Sequence, residues 1–401
     1  MANDYQYVVK VHYADAVQER IEKTLLAMEL AGMIDIPNGT TKNLPLIQMR
    51  STWDYTKYTA QTITDVDTSN DQIVINTTPM VNFAMDDLDE DDNYINIKPE
   101  VIADASYAIK KRIDGDFFAQ VLNAKWKYDS NGFGVNAGTL SAITLTTWSS
   151  QNISATFGNA KAGLTNTGVN ADKLALVVDS FTSVSLATLW LEAGYNIADV
   201  SYTRGFQWMF GGMSTYDAST LYSSTSLATA TLPTAWDIFY IQGVTFTFVA
   251  DGTAAAAWDI SLTWNAAAVT DIIVTALNGT WTPWVSTYVE VSSDDRARLE
   301  WITATDATTS VTIINKWGAM LATSDMTTDA NDFTDQVINT VVMEKGAIKM
   351  ALRPNVSVKS AREPLKLVTN YFIYARYGLK TTTRGAEKMC VIPLVSKAAE
   401  A

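Results

Sequence analysis

The chain has 401 residues, 47% of them apolar, and its 29 basic and 43 acidic residues give a formal net charge of −14. This length predicts two or three compact units, with enough apolar area for a core that needs no disulfide or metal. The negative charge argues against nucleic-acid binding as the main function, because contacts to phosphates require Lys and Arg. The only cysteine, Cys390, cannot form an internal disulfide, and its apolar neighbours predict a buried side chain without a catalytic role.

The sequence contains few of the side chains on which catalysis usually depends. His12 is the only histidine, which argues against Ser-His-Asp and Cys-His nucleophiles and excludes zinc sites with several histidines. No phosphate-binding glycine motif is present. A pair of carboxylates for glycoside hydrolysis stays open, but no pair is singled out. We therefore predict that the protein is not an enzyme and has no catalytic, cofactor-binding or metal-binding residues.

One acidic run is much denser than the rest of the sequence. It consists of Asp86, Asp87, Asp89, Glu90, Asp91 and Asp92. It lacks the ligand spacing of a calcium loop, so a solvated turn before a helix is favoured over an ion site. No apolar stretch approaches the roughly 18 to 20 residues of a membrane span, and no secretory signal is visible at the N-terminus. We expect no membrane association and synthesis in the cytoplasm.

The first 125 residues predict an arm, a hairpin and a long helix. Residues 1–45 are expected to form an arm with one amphipathic helix that ends at Gly32. The apolar stripe of that helix consists of Val17, Ile21, Leu25 and Met28. Residues 46–80 predict a β-hairpin around a polar turn at 67–71, because β-prone residues lie on both sides of it. This polar, Thr-rich hairpin is better explained if it lies on a neighbouring subunit than if it packs on its own chain.

Residues 96–125 predict a long amphipathic helix. Its apolar stripe consists of Ile102, Ala105, Ile109, Ile113, Phe117 and Val121. Its opposite face consists of Asp104, Lys110, Lys111, Asp114 and Lys125. Pro99 suits the first turn, Asp92 or Asn96 is placed to cap the start, and Gly115 is expected to be a weak point.

The remainder is predicted from shorter patterns. Residues 126–170 are rich in Ser, Thr, Asn and Gly, and residues 174–178 predict a buried strand followed by a helix from Asp179. Residues 215–335 show repeated period-2 stretches and predict an all-β module, with Asn278-Gly279 as a turn. Four Trp residues between 258 and 284 are compatible with a sugar-binding platform, although packing in a core or between subunits is favoured.

Three stretches resemble the major capsid proteins of tailed bacteriophages, which share the HK-ninety-seven-type fold. The first is MVNFAMDDLDEDDN with the helix that contains ASYAIKKRIDGDFF and the pair Ile113-Asp114; the second is LALVVDSFTSVSLATLW with GYNIADVSYTRGFQWMFGGMSTY after it. The third is the ending, in which Arg376, Tyr377, Gly378 and Lys380 are similar to a family turn before a last strand with Val391 and Ile392. WDIFYIQGVTFTFVADGT also resembles the start of a β domain inserted in some members.

This resemblance implies an α+β capsid fold with an N-arm, an extended hairpin loop, a spine helix, an axial domain and an all-β insertion. The implied units are an arm (1–45), a hairpin (46–80), a peripheral strand with the spine helix (81–125), an axial domain (126–214), the insertion (215–335) and a return to the axial and peripheral domains (336–401). It implies hexamers and pentamers that assemble in the bacterial cytoplasm into an icosahedral head around double-stranded DNA, without sequence-specific DNA binding. The implied partners are a separate scaffolding protein and a portal protein, and binding of a cement protein stays open.

We predict that charges on the hairpin meet acidic residues of an adjacent subunit. The residues assigned to this contact are Arg50, Trp53, Lys57, Tyr58, Asp86, Asp87, Asp89 and Glu90. Solvated surface charges are the alternative for these residues. A β-rich tail-tube, surface-layer or carbohydrate-binding protein is the alternative function.

Overall fold

The chain folds into a mixed α+β structure, as the sequence predicts. The computed structural model describes residues 26–37, 39–47, 57, 68–86, 98–138, 140–144, 150–180, 182–183, 186, 206–210, 212–251, 253–254, 256, 258–262, 265–279, 288–289, 292–316, 318, 320–327, 331–353, 357–363 and 368–395.

The described helices are α1 (Ala27–Leu30), α2 (Lys98–Ala119), α3 (Ser150–Asn166), α4 (Ala266–Asn278), α5 (Ser293–Arg298) and α6 (Thr383–Ala386). The strands before residue 230 are β1 (Gly32–Met33), β2 (Thr41–Ile47), β3 (Thr68–Val74), β4 (Met80–Asp86), β5 (Trp126–Asp129), β6 (Gly132–Val135), β7 (Leu174–Val178), β8 (Phe206–Phe210), β9 (Met213–Asp217) and β10 (Ser223–Ala228). The later strands are β11 (Ile238–Ile241), β12 (Val244–Val249), β13 (Asp259–Ser261), β14 (Ile302–Asp306), β15 (Ser310–Asn315), β16 (Ala322–Asp325), β17 (Val337–Glu344), β18 (Ile348–Leu352), β19 (Ser357–Glu363), β20 (Val368–Tyr374), β21 (Tyr377–Thr381) and β22 (Met389–Val395).

A ten-stranded sheet forms the centre of the fold. Seven strands follow the order β14-β15-β10-β17-β22-β5-β6, and β7, β8 and β9 join this sheet through the pairing of β7 with β17. Every residue of β7 is buried, which confirms the predicted strand. In β22, Cys390 is fully buried as predicted, and burial raises the pKa of its thiol. The helix predicted after β7 begins where the Asp179 carboxylate accepts the Thr182 N–H at 3.3 Å.

Helix α3 lies on this sheet and was not predicted. Its Ser, Thr, Asn and Gly residues have modest helix propensity, so packing determines the structure. Phe157, Ala160 and Leu164 recur at three- and four-residue spacing and are buried in one apolar cluster with Leu176 and Cys390. Tertiary contacts therefore stabilise a helix that its composition alone does not indicate.

Helix α2 is the predicted long helix, and it packs against the apolar core that joins both ends of the chain. It runs without a break from Lys98 to Ala119, about 33 Å at 1.5 Å per residue, and a 3₁₀ turn follows over 120–123. Pro99 lies in the first turn as predicted, whereas Gly115 does not interrupt the helix. The predicted stripe is confirmed by the burial of Ala105, Ile109, Ile113, Phe117 and Val121.

The prediction of Asp114 on the exposed face of α2 is wrong. Its side chain is 0% exposed, because three hydrogen-bond donors from other segments surround the carboxylate. Asp104, on the same predicted face, is exposed as expected. A charged residue in an amphipathic helix is usually solvated, so the sequence pattern by itself assigns Asp114 to the exposed face of α2.

The predicted hairpin is present with a different arrangement. β2 pairs with β3 in antiparallel register, from Thr41 opposite Val74 to Ile47 opposite Thr68. Residues 68–71 therefore belong to a strand, and the turn predicted at 67–71 is wrong. A strand can contain polar residues, because its ladder hydrogen bonds join backbone groups whatever the side chains are. Trp53, Tyr55 and Ile63 of the predicted hairpin lie outside the described residues.

The N-terminal segment differs from the predicted helix in its last turn. Helix α1 ends at Leu30, and Gly32 begins β1, which pairs in parallel with β18. Met28, assigned to the apolar stripe, is 52% exposed, because the segment buries Ala27 and Leu30 instead. Gly32 is required by close packing, since a Cβ there would lie 2.9 Å from the carbonyl oxygen of Gly346. Val17, Ile21 and Leu25 lie outside the described residues.

Residues 215–335 contain helices, so the prediction of an all-β module is wrong. Their four-stranded sheet has the order β13-β12-β11-β16, and α4 packs into the same apolar core. Asn278-Gly279 is not a hairpin turn but ends α4, with Gly279 as the C-cap at a φ of 67°. The two structures share a sequence signal, because a helix C-cap and a tight hairpin turn both need a residue with positive φ. Trp258 is 8% exposed within this core, as the packing interpretation predicts.

The motif Arg376-Tyr377-Gly378-Lys380 lies at the start of a strand. β21 begins at Tyr377 and pairs with β18, so the motif is not the turn that the resemblance implied. Val391 and Ile392 do lie in the last described strand, β22. A glycine is required at position 378 by close packing, because a Cβ there would lie 2.1 Å from the carbonyl oxygen of Val74. The glycine allows the hairpin strand β3 to reach the body of the protein.

Candidate assembly surfaces

The base of the β2–β3 hairpin is fixed to the body of the chain. Ile73 and Ile75 are buried in a small apolar cluster with Ile36 and Ala351. The carboxylate of Asp71 accepts the backbone N–H of Thr383 at 2.8 Å and its hydroxyl at 3.2 Å. A buried apolar contact and two hydrogen bonds therefore hold this end of the hairpin in a defined position.

The described strands of the hairpin have edges that are open to another chain. Among the described strands, β2 and β3 pair only with each other, so each has an edge that another strand can approach. Thr41, Lys42 and Asn43 are exposed, and so is Val74. This arrangement of polar side chains with few apolar ones is typical of the rim of a protein interface.

A second candidate surface is the three-stranded sheet β19-β20-β4. Phe83 of β4 stacks on Tyr371 of β20 with 5.1 Å between ring centroids, and Ile373 joins the core of α2. The outer strand β19 is almost wholly exposed, including the apolar side chain of Val358. Within the described chain this sheet ends at β19 on one side and β4 on the other, so both edges are open to a neighbour.

Asp114 connects the N-terminal segment, α2 and the region after β9. Its Oδ1 accepts the backbone N–H groups of Leu26 at 2.8 Å and Ala27 at 2.6 Å, and Oδ2 accepts the hydroxyl of Thr220. Burial raises the pKa of this carboxyl, although the hydrogen bonds from Thr220, Ala27 and Leu26 lower it in part. The carboxylate therefore caps the first turn of α1 from another element.

A second polar cluster joins the same segments. The hydroxyl of Tyr216 donates to Glu29 at 2.9 Å, and Lys345 donates to Tyr216 while its Nζ lies 3.5 Å from the Glu29 carboxylate. Partial burial acts to lower the pKa of Lys345, but the hydroxyl and carboxylate beside it raise that pKa overall. Helix α1 is thus fixed by Asp114 at its first backbone N–H groups and by Tyr216 and Lys345 at the Glu29 side chain.

The C-terminal half of α2 contacts residues 300–301. The guanidinium of Arg112 lies 5.3 Å from the centroid of the Trp301 ring and 4.0 Å from Asp116. Burial lowers the pKa of Lys111, while Glu300 opposes this effect. The segment between α5 and β14 is therefore held against the long helix by charge and by an aromatic contact.

A groove of about 730 Å³ lies where β2, the end of the α2 segment, the turn after α3 and α6 come together. Leu46, Trp126 and Val169 supply its apolar lining. Its charged side chains are Lys125, Lys173, Arg384, Lys388, Glu344 and Glu387. Lys125 pairs with Glu387 and Lys388 pairs with Glu344, each at 2.8 Å. The groove thus carries more cations than carboxylates on a chain with a charge of −14.

Most residues of the predicted contact lie outside the described residues. These are Arg50, Trp53, Tyr58, Asp87, Asp89 and Glu90. Lys57 is exposed, and Asp86 is the last residue of β4, opposite Val368. The contact itself therefore stays a prediction.

Sequence reasoning missed Asp114, Asp71 and the cations of the groove. For Asp114 the sequence offers one indication, its position between Ile113 and Gly115 in an apolar part of the helix. The groove residues are far apart in the sequence, so no local pattern indicates them. Among the described residues, no three His, Cys, Asp or Glu side chains converge as a metal site would require. No described helix is long and apolar enough to cross a membrane.

Comparison with known proteins identifies the fold. No family model matches the sequence, and no curated protein matches it. A chain in the capsid structure of the cyanophage P-SCSP1u is similar with a TM-score of 0.52 and 10% identity, over 99% of this chain and 96% of that one. A chain in the head structure of the Helicobacter pylori bacteriophage KHP40 is similar with a TM-score of 0.51 and 8% identity, over 96% of this chain and 94% of that one. The chain therefore has the fold of tailed-phage capsid proteins.

Proposed function

We propose that this protein is the major capsid protein of a tailed bacteriophage, a structural subunit without enzymatic activity. The observation that carries the proposal is the likeness to chains of a phage capsid and a phage head, which extends over nearly the whole chain. A likeness confined to one segment would fit a shared module in proteins of different function. A likeness over nearly the whole length of both chains supports a shared structural role.

The subunits are proposed to form hexamers and pentamers that close into an icosahedral head around double-stranded DNA. The open edges of the β2–β3 hairpin and of the β19-β20-β4 sheet support this, because such edges are a liability on a monomer and useful between copies. The charge of −14 suits a wall that encloses DNA without binding it tightly. A separate scaffolding protein, a portal protein and a cement protein are the proposed partners, with assembly in the bacterial cytoplasm and the virion as the final location.

We assign the contact between neighbouring subunits to the hairpin. Arg50, Trp53, Lys57 and Tyr58 lie on or beside the segment that joins β2 to β3, and Lys57 is exposed. The proposed partners are Asp86, Asp87, Asp89 and Glu90 of the adjacent copy. The anchored base of the hairpin supports this assignment, since a fixed base lowers the entropy lost when the outer part binds.

Residues 215–335 are proposed to form a domain at the capsid surface or at a contact between capsomers. The apolar core formed by residues between Leu227 and Met320 supports this proposal. Trp236 is 77% exposed and Leu321 is 71% exposed, so Trp236→Ser/Leu321→Ser changes the surface of this region and keeps β14 and β15 in the central sheet. Normal and equally stable particles from this variant would contradict a role of this surface in assembly.

Electron microscopy of the purified chain, with and without its scaffolding partner, tests the proposed function directly. Closed shells of uniform diameter are the expected result. Tubes or flat sheets would instead support the tail-tube or surface-layer alternative and would overturn the proposal, as would a chain that stays monomeric under all conditions.

A further inference from the structure

Four cations share one face of the ladder formed by β18 and β21. Lys349 lies directly opposite Lys380, and the Arg353 N–H donates to the carbonyl of Arg376 at 2.7 Å, which extends the ladder by one pair. Alternate residues of a strand point to the same face, so both pairs point away from the core of α2, in which Met350 is buried. Lys380, Arg353 and Arg376 are exposed and Lys349 is half-buried, so this face is strongly positive.

The base of the hairpin crosses this face between the two pairs of cations. Ala351 is buried there with Ile73 and Ile75, and Gly378 leaves room for Val74. In the part of the chain that the structure describes, none of the four cations is in an ion pair. Like charges directly opposite each other on a sheet repel. The face therefore favours an anionic partner.

The distribution of charge along the chain indicates the source of that partner. Residues 215–335, the acidic part, contain 14 acidic and three basic residues, which gives a net charge of −11. Residues 336–401, which include the four cations, contain 11 basic and four acidic residues, which gives +7. A chain with a total charge of −14 repels phosphates, whereas its own acidic part attracts the cations of another copy.

The acidic part holds one aromatic side chain out toward solvent. Trp236 is 77% exposed and has a φ of 80°, a backbone conformation that costs free energy for a bulky residue. Its N–H donates to the carbonyl of Phe248 at 2.6 Å. The buried carboxylate of Asp237 accepts the Thr234 N–H at 2.7 Å and the Thr327 N–H at 3.1 Å. A fixed and exposed indole is typical of an anchor in a protein interface.

Two carboxylates lie at the same end of the four-stranded sheet as this indole. Asp325 is exposed and pairs with Ile238, two residues after Trp236. Asp332 is exposed and accepts a hydrogen bond from Ser324, the residue before Asp325. An indole near carboxylates suits a guanidinium, which can stack on the ring and pair with a carboxylate.

We propose that Arg353 and Arg376 of one copy bind Trp236 and Asp325 of a second copy. The inference rests on the proposed function, since it requires copies to assemble, and it deepens that function by naming both sides of a contact made by the acidic part. One N–H of Arg353 donates to the Ile36 carbonyl at 2.9 Å, which orients the guanidinium and leaves its other donors for the partner. The two surfaces differ, so the contact is heterologous and can repeat around a closed ring such as a hexamer or pentamer.

Exchange of charge between the two surfaces tests the inference. Arg376→Glu and Asp325→Arg should each lower the yield of shells at least tenfold, with an unchanged circular dichroism spectrum of the unassembled subunit. Both changes in one chain should restore the yield. Lys110→Glu and Asp271→Arg, at exposed positions of α2 and α4, change the charge equally and are the matched controls.

The outcomes separate the inference from the proposed function. Normal yields from either single variant, or no recovery in the double variant, would overturn the inference and leave the capsid function intact. Failure of the unmodified chain to assemble in any form would overturn both.

Trp236 gives an independent second measurement. Glycine adopts a φ of 80° without strain, so Trp236→Gly should leave the stability of the unassembled subunit unchanged or higher while it lowers the yield of shells at least tenfold. Trp236→Phe keeps an aromatic ring and should retain most of the yield. Normal shells from Trp236→Gly would contradict the inference. Binding of a 20-base-pair DNA duplex to the unassembled subunit, lost in Arg353→Glu/Arg376→Glu, would identify nucleic acid as the ligand of these cations and overturn it.

Discussion

The carboxylate of Asp114, in the middle of α2, accepts the backbone N–H of Ala27 at 2.6 Å and so caps the first turn of a helix 87 residues away in sequence. Leu26, at the N-cap position of α1, has no side chain able to do this. Asp114→Ala leaves two buried N–H groups without an acceptor and should lower the free energy of unfolding by about 2–4 kcal/mol. Asp114→Asn keeps an acceptor oxygen and should cost about 1 kcal/mol.

Urea denaturation of the unassembled subunit measures both changes. Asp104→Asn is the matched control, because Asp104 is exposed on the same helix, and it should change stability by less than about 0.5 kcal/mol. An effect of Asp114→Ala as small as that of the control would show that the buried carboxylate does not hold α1.

The same carboxyl should make stability depend on pH. Its pKa is raised by burial, so between the ordinary value of 3.8 and its own raised pKa the folded chain binds more protons than the unfolded chain. The stability of the wild type relative to Asp114→Asn should therefore fall as pH rises from about 4 and level off above the raised pKa. Denaturation curves of the two proteins from pH 4 upward measure this difference. A difference that grows with pH would mean that the hydrogen bonds outweigh burial.

Gly378 should tolerate no side chain, since a Cβ would lie 2.1 Å from the carbonyl oxygen of Val74. Gly378→Ala must displace either β21 or the hairpin strand β3, and it should cost about 3 kcal/mol or more and loosen the hairpin. Limited proteolysis within residues 48–67, together with denaturation, measures both effects. Gly134→Ala is the control, because an added Cβ would meet no atom within 4 Å there. Equal cleavage of the two variants would contradict the expected role of Gly378.

Two glycines of α3 should respond to alanine in opposite directions. Gly158 is exposed and a Cβ there meets nothing within 4 Å, so Gly158→Ala should stabilise the subunit by about 0.5–1 kcal/mol through helix propensity. At Gly163 a Cβ would lie 2.2 Å from the ring of Phe133, which stacks on Trp126, so Gly163→Ala should destabilise it by about 1–3 kcal/mol. Thermal or chemical denaturation checks the signs; a stabilising Gly163→Ala would mean that the ring moves without cost.

Charge on the hairpin should control assembly rather than folding. Arg50→Glu/Lys57→Glu reverses two cations of the proposed contact and should block shell formation while the subunit keeps its circular dichroism spectrum. Arg50→Lys/Lys57→Arg retains the charges and is the matched control, with normal particles expected in electron micrographs. Normal particles from the Glu variant would favour the alternative that these side chains are solvated surface charges.

Sequence patterns were sufficient wherever one face of an element is buried in a regular way. The stripe of α2 from Ala105 to Val121 and the apolar run of β7 follow directly from periodicity, and the structure confirms both. Patterns failed where a distant partner determines the environment. Asp114 is buried because Leu26, Ala27 and Thr220 surround it. Helix α3 forms because the central sheet covers Phe157. In both cases the contacting residues are distant in sequence, so a short stretch of sequence does not reveal them.

Two other failures arise because different structures need the same local conformation. Gly279 has the positive φ of a hairpin turn but caps α4. The polar residues 68–71 suit a turn as well as they suit the strand that they form. For the candidate surfaces, the charges of the hairpin and of the acidic segment are visible in the sequence. The groove is not, because Lys125, Lys173 and Arg384 come together only through the fold.

The pairing of both chain ends also determines when a newly made subunit can be completed. β1 pairs with β18 through Gly32 opposite Lys349, and β4 pairs with β20. During translation, β1 and β4 are therefore synthesised about 300 residues before the strands with which they pair. At ribosomal rates of about 5–20 residues per second, this delay lasts roughly 15 to 60 s. Until then the hairpin base lacks the strand that carries Gly378, and the core of α2 lacks β20. A prematurely terminated chain therefore lacks the strands against which the base of its hairpin and the core of α2 pack.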